Sequence, residues 1–112
     1  MAAVRADAIR TIANGSITTS YTTLGAALTK NWRLFKITNN TDGDMLFSFD
    51  GTTNNLFVPA NSFSLYDLAT NAANVKDSDW FVMQIGTQFY IKYNTAPTTG
   101  DVWIEGLYST GV

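Results

Sequence analysis

The chain has 112 residues, 46% of them hydrophobic and only 14% charged, with a formal charge of -2 and neither Cys nor His. That size suits a single domain over 1–112, and the missing Cys and His exclude disulfides, thiol chemistry and Cys- or His-based zinc sites. The near-neutral balance argues against nucleic acid as a partner, which needs a clustered positive field, and no apolar run approaches the ~20 residues of a membrane span.

The start, MAAVRADAIRTI, has neither the basic nor the apolar region of a signal peptide, so maturation in the cytoplasm of the producing cell is expected. Residues 1–30 read as an N-terminal arm or hairpin. Ala2–Ile12 suits an edge strand or an extended arm. Asn14–Lys30 is rich in Thr, Ser, Gly and Ala, with Ile17, Tyr21, Leu24 and Leu28 as its only anchors. Two readings stand open: a hairpin packed on its own domain, or an arm pairing with a neighbouring subunit.

From Trp32 onward the punctuation is that of a β protein: short runs of β-branched and aromatic residues between Gly, Asn, Asp and Pro clusters. Trp32–Thr38 predicts a strand, followed by a turn at Asn39–Gly43. Met45–Phe49 predicts another, with Met45, Phe47 and Phe49 on one face, and Asp50-Gly51 opens a turn. Leu56–Val58 is short and closed by Pro59. Phe63–Leu68 follows, placing Phe63 and Leu65 on one side.

Ala69–Ser78 fits a loop or one helical turn, favoured by its alanines and opposed by its asparagines. Trp80–Ile85 resumes the β pattern, with Phe81, Met83 and Ile85 on one side. Gly86-Thr87 suits a type II′ hairpin turn, returning through Gln88–Tyr93 with Phe89, Ile91 and Tyr93 inward. A turn at Ala96–Gly100 leads to a last strand, Val102–Tyr108. The fold class is therefore all-β: a single antiparallel β-sandwich, jelly-roll-like, of about seven to nine short strands.

Catalysis finds little support. A nucleophile without His or Cys needs a Lys or carboxylate helper, and no pair stands out among Asp7, Asp42, Asp44, Asp50, Asp67, Asp77, Asp79, Asp101 and Glu105. Most sit beside Gly, Asn, Ser or Thr, where Asp forms turns. Asp42-Gly43-Asp44 and Asp77-Ser78-Asp79 raise the question of calcium, but the twelve-residue loop with its closing Glu is absent. No Gly-rich loop cradles phosphate. The expectation is a non-enzymatic chain with no cofactor and no metal. Lys30, Arg33 and Lys36 form the only local basic group, spaced as on a solvated strand.

Aromatic residues carry the remaining signal. Phe35, Phe47, Phe49, Phe63, Phe81 and Phe89 form the predicted core. The opposite faces are not uniformly polar: Trp32 and Leu34 lie away from Phe35, Trp103 and Leu107 away from Ile104, Trp80 and Val82 away from Phe81, and Tyr90 away from Ile91. An outward apolar set implies a covered surface. Three readings compete: subunit contact through Trp32, Leu34, Trp103 and Leu107; a sugar-stacking platform on Trp32, Trp80 or Trp103; or a bulge that flips the assigned faces.

The run ITNNTDGDMLFSFDGTTNNLFVPANSFSLYDL, Ile37–Leu68, resembles small virion proteins of tailed bacteriophages. In these a strand ending in N-x-T-D precedes one ending in S-x-D-G, and a short strand then leads to P-A. The matching pieces are Asn40–Asp42, Ser48–Gly51 and Pro59-Ala60, and Phe89–Tyr108 resembles the closing hairpin of the same group. The resemblance implies a β-sandwich virion structural protein present in multiple copies, in capsid decoration or in head–tail or fibre attachment. It implies partners that are further copies of itself and other virion proteins, and a location in the virion after synthesis in the host cytoplasm. The alternative is a carbohydrate-binding module for cell-surface glycans.

Overall fold

The computed structural model describes residues 3–68 and 82–110. Among the described residues nine strands run in chain order: β1 (Ala3–Ala6), β2 (Arg10–Ala13), β3 (Thr22–Thr23), β4 (Trp32–Asn39), β5 (Met45–Ser48), β6 (Leu56–Val58), β7 (Ser62–Asp67), β8 (Tyr90–Tyr93) and β9 (Asp101–Thr110). One sheet orders β1-β9-β4-β7 with β2 also on β9, and the other orders β3-β8-β5-β6. Every pairing is antiparallel.

β1 pairs with residues 107–110 of β9 and β2 with residues 101–104. They are one edge strand interrupted at Asp7–Ile9. Counted as one, they leave eight strands in the orders 1-8-3-6 and 2-7-4-5. Every chain connection crosses between the sheets except the fourth to the fifth. That is jelly-roll topology. Within the chain, residues 3–30 pack against the two sheets, with Ile17, Leu24 and Leu28 buried.

The core forms where the inward residues of the two sheets meet. Phe35, Ile37, Val102 and Ile104 come from the first sheet, and Met45, Phe47, Val58, Phe89 and Ile91 from the second; all are buried. Aromatic rings join the layers, with Phe89 lying 5.6 Å from Phe35 and 5.8 Å from Trp32 between ring centroids. Such offset and edge-on contacts each add about 0.5–1.5 kcal/mol beyond the area buried.

Several expectations are corrected. Trp32 is fully buried, not outward. Between Trp32, opposite Tyr108, and Leu34, opposite Leu107, β4 advances two residues while β9 advances one. Arg33 is the extra residue of a bulge, so Trp32 and Phe35 face inward together although three positions apart. Phe63, predicted as core, is 60% exposed, and Leu65 beside it is 56% exposed. The other parity of β7 turns inward, and Tyr66 stacks on Phe35 with centroids 4.7 Å apart. Phe49 is partly buried against the core. Phe81, Trp80 and the Ala69–Ser78 stretch lie outside the described residues.

The hairpin expected around Gly86 is also absent. Over 82–85 the only ladder contact is the Met83 bridge to Trp32, and β8 pairs with β3 and β5 instead. Met83 packs against the core, whereas Ile85 is exposed. Gly86, at φ 94°, occupies the third position of a turn closed by the Thr87 N–H donating to the Gln84 carbonyl, 3.1 Å. Positive φ at that position belongs to type II, not type II′.

Candidate interaction face

Alternation on three paired strands builds one outward surface on the five-stranded sheet. Since Phe35 and Ile37 point inward, Leu34, Lys36 and Thr38 point outward. Register then fixes their neighbours in rows. Thr38 lies between Trp103 on β9 and Phe63 on β7; Lys36 lies between Glu105 and Leu65; Leu34 lies between Leu107 and Asp67. β2 and β1 extend the rows, with Thr11 opposite Trp103 and Ala6 opposite Leu107. Val4 and Ile9 add exposed apolar area on that edge, and Trp103 is 42% exposed.

Three of the four predicted interface residues, Leu34, Trp103 and Leu107, thus share this face. Trp32 does not: it lies on the opposite side, in the core. Phe63 and Leu65 belong to the face and were missed. β7 reads Ser-Phe-Ser-Leu-Tyr-Asp and carries an aromatic on each parity, so alternation alone does not choose which turns in.

The charges at the centre are arranged unusually. Lys36 and Glu105 are directly opposite across β4 and β9. The Lys36 ammonium nevertheless sits over the Phe63 ring, 4.6 Å from its centroid. Among the described residues Glu105 makes no ion pair, whereas Arg10 lies 3.6 Å from Asp7 at the sheet edge. Lys30, from the same basic group, lies over Tyr108 at 5.3 Å.

The second sheet presents a smaller apolar patch. Phe57 is exposed and lies opposite Leu46, which pairs in turn with Lys92. The Lys92 ammonium is 4.7 Å from the Tyr21 ring, and the Tyr21 hydroxyl donates to the Asn54 side chain, 2.6 Å. Burial, then the Asp50 charge, raises the Tyr21 pKa.

The described carboxylates with resolved partners close loops. Asp42 accepts from the Thr98 hydroxyl and from the amides of Thr98 and Thr99, which lowers its pKa to about 2. Asp50 accepts from the amides of Thr53 and Thr52 and the hydroxyls of Thr53 and Ser48, which hold it well below the usual range. Asp44 accepts from the Ala60 amide, 2.9 Å. Among the described residues no group of three or more His, Cys, Asp or Glu converges as metal ligands do. No helix there is long and apolar enough to cross a membrane.

Of the three Trp proposed for sugar stacking, Trp32 is buried and Trp80 lies outside the described residues, which leaves Trp103. Comparisons with protein-family models, with curated proteins and with solved structures find no match.

Proposed function

We propose that the chain is a non-enzymatic structural subunit of a particle built from many copies, a virion component of the tailed-phage kind, held in place through the outer face of its five-stranded sheet. One observation carries the reading: Phe63, Leu65 and Trp103 are 60%, 56% and 42% exposed on a single sheet face, beside Leu34 and Leu107. Scattered exposed apolar residues are ordinary, but a set gathered on one face marks a surface that is covered in use. The resemblance of Ile37–Leu68 and Phe89–Tyr108 to phage virion proteins supplies the kind of particle. On this reading the partners are further copies and other virion proteins, and the chain acts in the virion after synthesis in the host cytoplasm.

The test is physical association with particles. Virions from infected cells, banded by density, should carry the chain at a constant ratio to the major capsid protein across the band. A chain left wholly in the soluble fraction overturns the proposal.

The exposed Trp103 favours a second reading, a glycan-stacking surface, since jelly rolls serve lectins as well as capsids. It expects host polysaccharide to change Trp103 emission, and Trp103→Ala to abolish the change.

A further inference from the structure

We infer that the outer face of the five-stranded sheet is self-complementary and pairs with the same face of a second copy about a two-fold axis. The inference rests on the multicopy reading above and names the partner for that surface. The argument starts from the central row, where Glu105 on β9 and Lys36 on β4 stand side by side. A two-fold axis parallel to these strands, running between them in the plane of contact, exchanges β4 with β9. Glu105 of one copy then lies over Lys36 of the other, and the reverse pair forms by the same symmetry.

The neighbouring rows bring no charge over another charge. Leu107 comes over Leu34, Trp103 over Thr38, and Phe63 over Thr11, because each pair occupies mirror positions about the axis. Apolar residues thus flank two reciprocal charge pairs, and no like charges meet at the centre. The state of the single chain agrees. Lys36 is turned onto Phe63 and not onto Glu105, which leaves that carboxylate without an ion pair among the described residues. A second copy supplies the missing cation.

The size of the face sets the strength. Four strands at about 4.8 Å spacing, and about 20 Å along them, give a footprint of roughly 400 Å² per copy. The total of roughly 800 Å² falls below the ~1,200 Å² of stable complexes. The pair is therefore weak in free solution and holds where a particle raises the local concentration. Sheet twist rotates the outer rows out of alignment, so the central charges carry most of the selectivity.

Charge reversal with mixing tests this. Lys36→Glu places two carboxylates opposite two carboxylates across the axis, and Glu105→Lys places ammonium opposite ammonium. Each variant alone should associate at least tenfold more weakly than the wild type in sedimentation at low salt. Mixed in equal amounts, the two should recover association, because Glu at 36 of one meets Lys at 105 of the other while each chain keeps its own like charges. Unchanged thermal melting of both variants verifies their fold. Association that persists through both reversals overturns this pairing and leaves the multicopy reading with a different contact. Reversals that weaken association without recovery on mixing also overturn it. A wild type that stays monomeric at its highest soluble concentration overturns it too, while particle co-purification judges the wider reading separately.

Discussion

The indole nitrogen of Trp32 donates to the Asp7 carboxylate at 2.9 Å, fastening the interrupted edge strand to the one large side chain that the β4 bulge turns inward. Arg10 completes the clasp, its guanidinium 3.6 Å from Asp7 and 5.0 Å from the Trp32 ring. Burial alone raises the Asp7 pKa, but the Trp32 indole, the Ala8 amide and Arg10 together outweigh it and lower the pKa. Asp7→Ala leaves the buried indole N–H unpaired and should cost about 1–3 kcal/mol in denaturant unfolding. Asp7→Asn keeps an acceptor and should cost less. Equal losses for the two variants contradict this account.

Gly106 should tolerate no side chain. A Cβ built there falls 2.2 Å from the Trp32 ring, and the indole cannot retreat because Phe35 and Phe89 pack against it. Gly106→Ala should destabilise by about 3 kcal/mol, the upper part of the overpacking range. Thermal melting with Trp fluorescence reads both the loss and the displacement of Trp32.

Asn39 ends β4 inside the fold. Its side-chain amide donates to the carbonyls of Gly43, Val58 and Pro59, and its oxygen accepts from the Thr41 amide and hydroxyl. Asn39→Asp keeps the shape but faces three carbonyls with a second acceptor. A loss of about 3 kcal/mol or more is expected, and it should exceed that of Asn39→Ser.

Acid should loosen the loop that Asp42 holds. Its folded pKa is lowered to about 2, below the unfolded value of about 3.9. The stabilisation is therefore complete above about pH 4 and is lost as pH falls through 2. Asp42→Asn should remove this component from the acid unfolding curve. A variant with an unaltered acid limb refutes it.

Phe63→Ser and Trp103→Ser should leave stability within about 0.5 kcal/mol of the wild type, because neither side chain joins the core. Their effect belongs in association with particles, which both should weaken. A large loss of stability instead assigns these residues to the fold and not to a contact.

Much of the fold was legible because alternation and turn residues agreed. Met45 and Phe47 turned inward as their spacing predicted, as did Phe89 and Ile91, and Leu56–Val58 keeps its predicted bounds. Trp32 was misread because a bulge adds a residue without marking the sequence. Phe63 was misread because hydrophobicity does not say which face of an edge strand is inner. The outer face was half legible: Trp103 and Leu107 followed from Ile104, but the juxtaposition of Lys36 and Glu105 is a register fact across 69 positions of chain.

β9 stands between β4 and the interrupted edge strand, and it is the last of the described strands. Its neighbours on either side never touch as strands without it. Until β9 is made, β4 pairs with β7 and, at Trp32, with Met83, and the segment over 3–13 has no strand to join. The first sheet therefore closes in one late insertion, when both flanks receive the same ten residues of β9. Such non-local closure is slow and leaves apolar edges open while it waits. The late arrival of the shared partner, more than the strength of any one pairing, is expected to set the folding rate.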